Sequence, residues 1–310
     1  MMGYVAFGDF IANGKEGEIK DEDGKEGDEE DGMELSHFTM VEPVWGPQTS
    51  YLNFCEEDYI VTRYIAEFIN TLSSLSYIVY GIYGLASYNK FPTASRLISY
   101  CGLMGVGICS GGYHMTLKYH TQMFDELSMH LLTTPLLYRL LSYNASPQRT
   151  KLVGLVLSIL FTIVMVTHVV LDEFLLHAVS FGLGVLIIAR HSLQIISQRT
   201  LDLDTKRDLR NISIAGISFF VFGYVIWLID DWACRYLTDV RHTVGLPFAF
   251  LFELHGWWHF FTAIGGYIAV VVVDSITSHE KVENPTSRLA WPVPLVARLM
   301  ANSELPAKPA

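Results

Sequence analysis

The chain is dominated by apolar segments that recur along most of its length and are too long for a soluble core. A helix needs about 20 mostly apolar residues to cross a bilayer, and these segments approach or exceed that length. The composition agrees, since 51% of the residues are hydrophobic and 17% are charged. We therefore predict an all-α polytopic membrane protein, a seven-transmembrane helix bundle. The predicted spans are 62–86, 96–116, 122–142, 152–171, 174–194, 211–230 and 246–273.

The two ends of the chain differ from its apolar middle. Residues 16–34 are dominated by acidic side chains, a composition that is typical of disorder. We predict an acidic disordered N-terminal tail at 1–40, a seven-transmembrane domain at 41–275 and a cytosolic C-terminal tail at 276–310. The first residues lack the basic and apolar regions of a signal peptide, so we expect the first span to act as its own insertion signal.

The positions of the basic residues predict the orientation of the bundle. Lysine and arginine concentrate in cytoplasmic loops. With seven spans and an N-terminus in the lumen or outside the cell, most of the 21 lysines and arginines lie on the cytoplasmic side, among them Arg139, Lys151, Arg190 and Arg207. We therefore expect the C-terminus in the cytosol.

Three histidines interrupt these apolar segments: His114, His255 and His259. Residues four apart on a helix differ by about 40° around its axis, so His255 and His259 can bind one ion from one face. Three protein ligands with a fourth position open are typical of a catalytic zinc site. The alternative for each histidine is a hydrogen-bonded polar group between packed helices, but ionisable residues at membrane depth are costly and usually functional.

Two further polar residues lie at a similar depth in the predicted topology. Ser110 is one helical turn from His114, and Asp125 is one turn inside the next span. This agreement favours a shared site near the lumenal face. Other histidines in the spans, His130, His168 and His177, receive no role and are interpreted as packing residues.

The four cysteines fall into two groups. Cys55 precedes the first span and Cys234 precedes the last, and both are lumenal in the predicted orientation. Because the lumen is oxidising, we predict a disulfide between them. Cys101 and Cys109 lie inside the second span, where we expect small buried apolar residues.

A group of oxygen-bearing side chains precedes the first span or lies at its start: Asn53, Glu56, Asp58 and Glu67. Hard oxygen ligands of this kind suit calcium, although the spacing matches no EF-hand loop. The alternative is a solvated acidic turn before a helix N-terminus. Glu67 differs from the others because it lies inside the apolar run and needs a partner.

Four sequence segments together resemble the alkaline ceramidase family, whose members are seven-helix membrane amidases that split ceramide into a sphingoid base and a fatty acid. The segments are WGPQTSYLNFCEEDY at 45–59, YIAEFINT at 64–71, SGGYHMTLKY at 110–119 with DEL at 125–127, and HGWWH at 255–259. Because the resemblance begins near residue 45, Met33 is an alternative start.

The resemblance implies two metal sites and one disulfide. A catalytic zinc ion is expected on His114, His255 and His259, with Ser110 and Asp125 beside it. A structural calcium ion is expected on Asn53, the carbonyl of Phe54, Glu56, Asp58 and Glu67, and Cys55 is expected to pair with Cys234. Asn53 and Phe54 stand where the family usually has Asp and Trp, and Asp58 stands where it commonly has Asn, so one carboxylate has moved and the number of ligands is kept.

These residues predict an intramembrane zinc-dependent hydrolase of ceramide, phytoceramide or dihydroceramide. Asp125 is the expected general base, and Ser110 is expected to bind the oxyanion or the attacking water. A zinc-containing lipid receptor of the adiponectin-receptor type is the main alternative. A retinal protein is excluded because residues 246–273 contain no lysine. Ceramide and membrane lipids are the expected partners, with no nucleic acid and no obligate protein partner, in the endoplasmic reticulum or Golgi membrane.

Overall fold

The structure is a computed structural model that describes residues 42–87, 92–172, 174–199, 202–278, 285 and 289–303. The predicted acidic tail and Met33 lie outside the described residues. Every regular element in the described part of the chain is helical, and an isolated bridge joins Thr62 to Ile65. The α-helices are α1 (Phe68–Ala86), α2 (Ala94–Thr116), α3 (Tyr119–Leu141), α4 (Pro147–Leu171), α5 (Phe174–Gln198), α6 (Leu203–Trp232), α7 (Cys234–Val244), α8 (Leu254–Thr277) and α9 (Val293–Ser303).

The predicted all-α polytopic membrane class is confirmed, and each predicted span overlaps one long helix, α1 to α6 or α8. By length and composition, α4, α5, α6 and α8 can each cross a membrane. Helices α1, α2 and α3 contain more polar residues, many of which are buried inside the bundle. The count of seven crossings stays a prediction.

Two predicted spans begin several residues before the helices that they overlap. The first span was expected to start at residue 62, but α1 begins at Phe68. Before it, the backbone N–H groups of Ala66 and Glu67 donate to the carbonyls of Met115 and His114, both at 3.0 Å. These hydrogen bonds hold an extended segment against the last turn of α2. Residues 62–67 are therefore not part of α1, although the predicted span includes them.

The last span also begins later than its apolar pattern predicts. It was expected from residue 246, whereas α8 starts at Leu254. Gly245 adopts a positive φ of 69°, and a short 3-10 helix covers Phe248–Phe252. The amphipathic helix α7 precedes this region and was not predicted. Helix α9, within the expected C-terminal tail, was not predicted either.

Helix α8 is the centre of the bundle, and close helix contacts surround it. Its buried residues, which include Ile264, Ile268 and Val272, cover more than one face. At its contact with α6, a Cβ added to Gly265 would lie 3.1 Å from the carbonyl oxygen of Gly216. Small residues let membrane helices approach closely, where packing rather than the hydrophobic effect drives association.

The predicted disulfide between Cys55 and Cys234 is present, with a Cα–Cα distance of 5.2 Å. It joins the segment before α1 to the start of α7. The expectation that Cys101 is buried is wrong, because this thiol is exposed on the outside of α2. A small apolar side chain can face lipid as readily as a protein core, so the sequence does not distinguish the two positions.

The contact between α1 and α2 generates a test of this packing. A Cβ at Gly107 would lie 2.7 Å from the backbone oxygen of Ser74, whereas a Cβ at Gly105 would meet nothing within 4 Å. Gly107→Ala should destabilise the protein by about 1–3 kcal/mol, because a backbone atom cannot move aside cheaply. The measurement is the thermal midpoint in detergent.

Gly105→Ala is the matched control, since alanine raises helix propensity by about 1 kcal/mol at both positions. It should leave the midpoint unchanged or higher. Equal midpoints in the two variants would show that α1 and α2 are not in close contact at Gly107.

Candidate metal-dependent active site

The structure brings together the three histidines that the sequence singled out. His114 lies in the last turn of α2, while His255 and His259 lie in the first two turns of α8. One ring nitrogen of each lies within 4.8 Å of the others, and all three side chains are buried. The spacing of four residues places the α8 pair on one face, as predicted.

Two of these ring nitrogens have no partner within the described part of the chain. They are Nε2 of His114 and Nδ1 of His255, and both are buried. A buried nitrogen without a hydrogen bond costs about 1–3 kcal/mol. Three clustered imidazoles, two of them with an unpartnered nitrogen, fit a zinc ion, which accepts nitrogen ligands at three positions and leaves the fourth open.

Side chains from the N-terminal part of α1 hold the rings in position. The carboxylate of Glu67 contacts Nδ1 of His114, and the hydroxyl of Ser73 lies 2.8 Å from Nδ1 of His259. Partners of this kind fix the tautomer and orientation of metal-binding histidines, which leaves Nε2 of each ring for an ion. Neither contact was predicted from the sequence.

Ser110 contacts the histidine group directly, whereas Asp125 is linked to it through Tyr77. Ser110 is buried, and its hydroxyl is 3.4 Å from Nε2 of His259 and 3.0 Å from the hydroxyl of Ser74. Asp125, on α3, lies within Coulombic range of Tyr77, whose ring packs edge-on against His259 at 6.2 Å. Asp125 is not among the clustered metal-binding groups, and its place beside them stays a prediction.

The acidic segment before α1 is folded against the N-terminus of that helix. The two carboxylate oxygens of Glu56 accept backbone N–H groups of Ile69 at 2.7 Å and Asn70 at 2.8 Å. Glu56 therefore satisfies two of the helix-end donors that lack partners within the helix. The amide of Asn53 donates to Asp58 at 3.2 Å.

Several negative charges share this small region. Burial, together with the charge of Glu67, raises the pKa of Glu56 to about 7 and that of Asp58 to about 6. Within the described residues, Oδ1 of Asp58 is buried without a hydrogen-bond partner. Clustered carboxylates with an unpartnered oxygen suit a hard cation, so the residues fit the predicted calcium ion.

Glu67 contacts both regions. Its Oε1 accepts the backbone N–H of Phe54 at 3.1 Å, and its Oε2 accepts from the amide of Asn70 at 3.3 Å and contacts His114. The ring of Phe54 lies 3.7 Å from the ring of His255, centroid to centroid. The segment before α1 is thus part of the histidine site, which the sequence did not reveal.

Asp230, near the end of α6, is another functional residue that the sequence reasoning missed. Its carboxylate accepts the backbone N–H of His255 at 3.2 Å and that of Cys55 at 3.3 Å. It therefore holds the first turn of α8 and the disulfide-bonded segment together. The available signal was an acidic residue at the end of a predicted span, where an ionisable group is usually functional.

The chain is similar to known proteins over most of its length. The model of the ceramidase family matches residues 46–300. Alkaline ceramidase YPC1 of Saccharomyces cerevisiae is 31% identical over 254 residues, which cover 77% of this chain and 80% of that protein. Alkaline ceramidase 3 of Mus musculus is 30% identical over 229 residues, covering 73% of this chain and 84% of the relative.

The fold and the site define a polytopic α-helical membrane protein with a buried polar centre at one end of its bundle. The match to the family covers most of the sequence and includes every residue named in the site. The chain therefore belongs to the ceramidase family, and it is a hydrolase of the ceramidase type.

The two hydrogen bonds of Asp230 can be tested with a conservative change. Asp230→Asn replaces one acceptor oxygen by an NH₂ group that faces a backbone donor, so we expect a loss of about 1–3 kcal/mol of stability. Activity should fall as well, because His255 loses the contact that fixes its backbone. The measurements are the thermal midpoint and the rate of amide hydrolysis in detergent.

Asp231→Asn is the matched control, since Asp231 is the next residue of α6 and is exposed. It should leave both quantities unchanged. If the two variants behave alike, Asp230 does not position the site.

Proposed function

We propose that this protein is a zinc-dependent amidase that hydrolyses ceramide to a sphingoid base and a free fatty acid. The observation that carries the proposal is the group of three buried imidazoles, two with unpartnered nitrogens, on α2 and α8. Membership of the ceramidase family and the names of its relatives support the substrate class.

His114, His255 and His259 would hold the zinc ion. When bound, zinc supplies a water of lowered pKa and polarises the carbonyl of the amide. Glu67 holds the proton on Nδ1 of His114, and Ser73 accepts a hydrogen bond from Nδ1 of His259. Both rings are thereby kept in one tautomer and orientation.

Asp125 and Ser110 would provide the proton transfer and the oxyanion contact. Asp125 takes a proton onto a carboxylate oxygen from the attacking water and later gives it to the departing amine nitrogen. The hydroxyl of Ser110 donates a hydrogen bond to the oxygen that gains charge as the carbonyl becomes tetrahedral. Ser74, at 3.0 Å, orients the Ser110 hydroxyl.

An apolar cavity of about 110 Å³, lined in part by Tyr77, supports a lipid substrate. Tyr77, whose ring contacts His259, forms one end of it, and the side chains of Phe181, Phe220 and Trp258 line the wall. Pockets lined by aromatic and aliphatic residues bind apolar groups. Part of one hydrocarbon chain of a ceramide would enter this cavity, with the amide near Ser110.

The assignments of the zinc ligands and of the general base are tested by measuring zinc content and turnover separately in each variant. His255→Gln and His259→Gln should lose zinc and activity together, since each removes a ligand. Asp125→Asn should keep its zinc while turnover falls by about 10²-fold or more. Zinc is measured by elemental analysis, and turnover by fatty acid release from ceramides with sphingosine, dihydrosphingosine or phytosphingosine bases.

His120→Gln provides the control, because this exposed histidine is the second residue of α3 and lies outside the histidine group. It should keep full zinc and full activity. Unchanged zinc in both α8 variants would mean that these histidines are not ligands.

We further propose that the segment before α1 binds calcium through Asn53, Phe54, Glu56, Asp58 and Glu67. The unpartnered Oδ1 of Asp58 and the mutual repulsion of the carboxylates support a cation there. Because Glu67 also contacts His114, calcium would stabilise the histidine site without taking part in the reaction.

A calcium-selective chelator should therefore lower the thermal midpoint and the activity, while the zinc content stays unchanged. Asp58→Asn should abolish the response of the midpoint to calcium. Glu57→Gln should retain it, since Glu57 is partly exposed and pairs with His242 on α7. Magnesium should restore stability poorly, because it demands tight octahedral geometry. Equal midpoints with and without calcium in the unaltered protein would favour a solvated acidic turn.

We also propose that the N-terminus lies in the lumen of the endoplasmic reticulum or Golgi and the C-terminus in the cytosol. The disulfide at the histidine end of the bundle supports this orientation, because disulfides persist in oxidising compartments. The sequon at Asn144, in the turn between α3 and α4, lies at the opposite end and should remain unglycosylated. If glycosidase treatment lowers the mass of the protein, and Asn144→Gln abolishes this change, the proposed orientation is wrong.

A further inference from the structure

A second group of metal-binding side chains is buried between α3, α4 and α5. It consists of Glu126 on α3, His168 on α4 and His177 on α5, each of which offers one ligand atom within 4.8 Å of the others. All three side chains are almost fully buried. The group shares no residue with the site on α2 and α8.

Glu126 follows Asp125 directly in the sequence, but the two carboxylates have different neighbours. Successive residues on a helix are about 100° apart around its axis. Asp125 lies within Coulombic range of Tyr77, while the carboxylate of Glu126 contacts Nε2 of His168 on α4. The second group is therefore a separate feature of α3 and not an extension of the active site.

One nitrogen of this group has no compensating contact. Nδ1 of His177 is buried and has no hydrogen-bond partner within the described part of the chain, while the side chain as a whole is 2% exposed. The ring lies 5.2 Å from that of His168 and 5.0 Å from that of His130, centroid to centroid. Two imidazoles and one carboxylate are a donor set that binds zinc and similar divalent ions.

Neighbouring polar groups hold the donors in place. The amide of Gln122 donates to Oε1 of Glu126 at 3.0 Å, and the hydroxyl of Tyr51 lies at 3.4 Å from Oε2. Nε2 of His130 is 3.0 Å from the hydroxyl of Ser180 on α5. Contacts of this kind orient the ligands of metal sites, and they are more extensive than packing alone requires.

Helix α4 gives the group a clear structural role. Of its 25 residues, only Met165 and His168 are buried. Apolar side chains gain little by leaving lipid for a neighbouring helix, so α4 needs a specific polar contact to hold its place. His168 provides such a contact, beside the carbonyl of Val169, which accepts from the hydroxyl of Tyr119 at 3.1 Å. An ion shared by Glu126, His168 and His177 would link three helices.

We infer that Glu126, His168 and His177 form a second metal site, suited to zinc or a similar divalent ion, that fastens α4 and α5 to α3. The opposing account is a hydrogen-bonded pair of Glu126 and His168, with His177 buried beside it and no ion. The two accounts differ in the amount of metal that the protein carries.

The test is the metal content of the purified full-length protein, measured by elemental analysis after gel filtration in metal-free detergent buffer. With both sites filled, the unaltered chain should carry about two equivalents of zinc. His177→Gln should carry about one equivalent and show a lower thermal midpoint. His191→Gln, also on α5 but outside the group, should match the unaltered protein in both measurements.

A double variant, His255→Gln with His259→Gln, separates this inference from the proposed active site. It leaves α3, α4 and α5 untouched and should lose activity while keeping about one equivalent of zinc. Its failure to retain any zinc, or a His177→Gln protein with as much zinc as the unaltered chain, would overturn the second site. If His177→Gln loses zinc while the double variant keeps as much zinc as the unaltered chain, the second site stands and the assignment of zinc to His255 and His259 is wrong.

Discussion

The buried carboxylate of Glu67 is the contact on which the histidine site depends. It lies at the start of α1, is fully shielded from solvent, and contacts His114 on α2, the amide of Asn70 on α1 and the backbone of Phe54. A charge in such a place requires several compensating partners. Those partners come from three parts of the chain, so the carboxylate fixes the relative positions of all three.

The segment before α1 is held to the bundle by other contacts besides this one. Arg241 of α7 donates to the carbonyl of Cys55 at 2.6 Å and forms a buried ion pair with Glu253 at 2.9 Å. The disulfide and Asp230 attach the same segment to α7 and to the start of α8. The site is therefore covered by chain that precedes the first helix, and its histidines come from the two helices beneath.

The sequence predicted those parts of the fold and site that depend on regular spacing. Apolar runs located the long helices, and the spacing of His255 and His259 placed both on one face of α8. The pattern failed at residues 62–67 and 246–253, which lie outside the α-helices although they were assigned to spans. Hydrogen bonds to the end of α2 and the turn at Gly245 determine those segments, and neither follows from hydropathy.

Contacts between residues that are distant in the sequence could not be predicted either, and the reason is different. Glu126, His168 and His177 each occupy a separate helix, and nothing in the sequence shows that their side chains converge. Each alone is best explained as a packed polar residue. The same holds for Asp230 and Ser73, whose roles depend on how α1 and α6 are rotated about their axes relative to α8.

The near absence of buried residues on α4 has a consequence for how its sequence can change. Lipid accepts any apolar side chain, so the outer surface of this helix constrains only its length and hydrophobicity. Leucine, isoleucine, valine and phenylalanine are interchangeable over most of its turns, whereas His168 is fixed by its partners on α3 and α5. Within α4, the information that specifies the fold is therefore concentrated in about one turn near Asp172, and the rest of the helix serves as an apolar spacer of defined length.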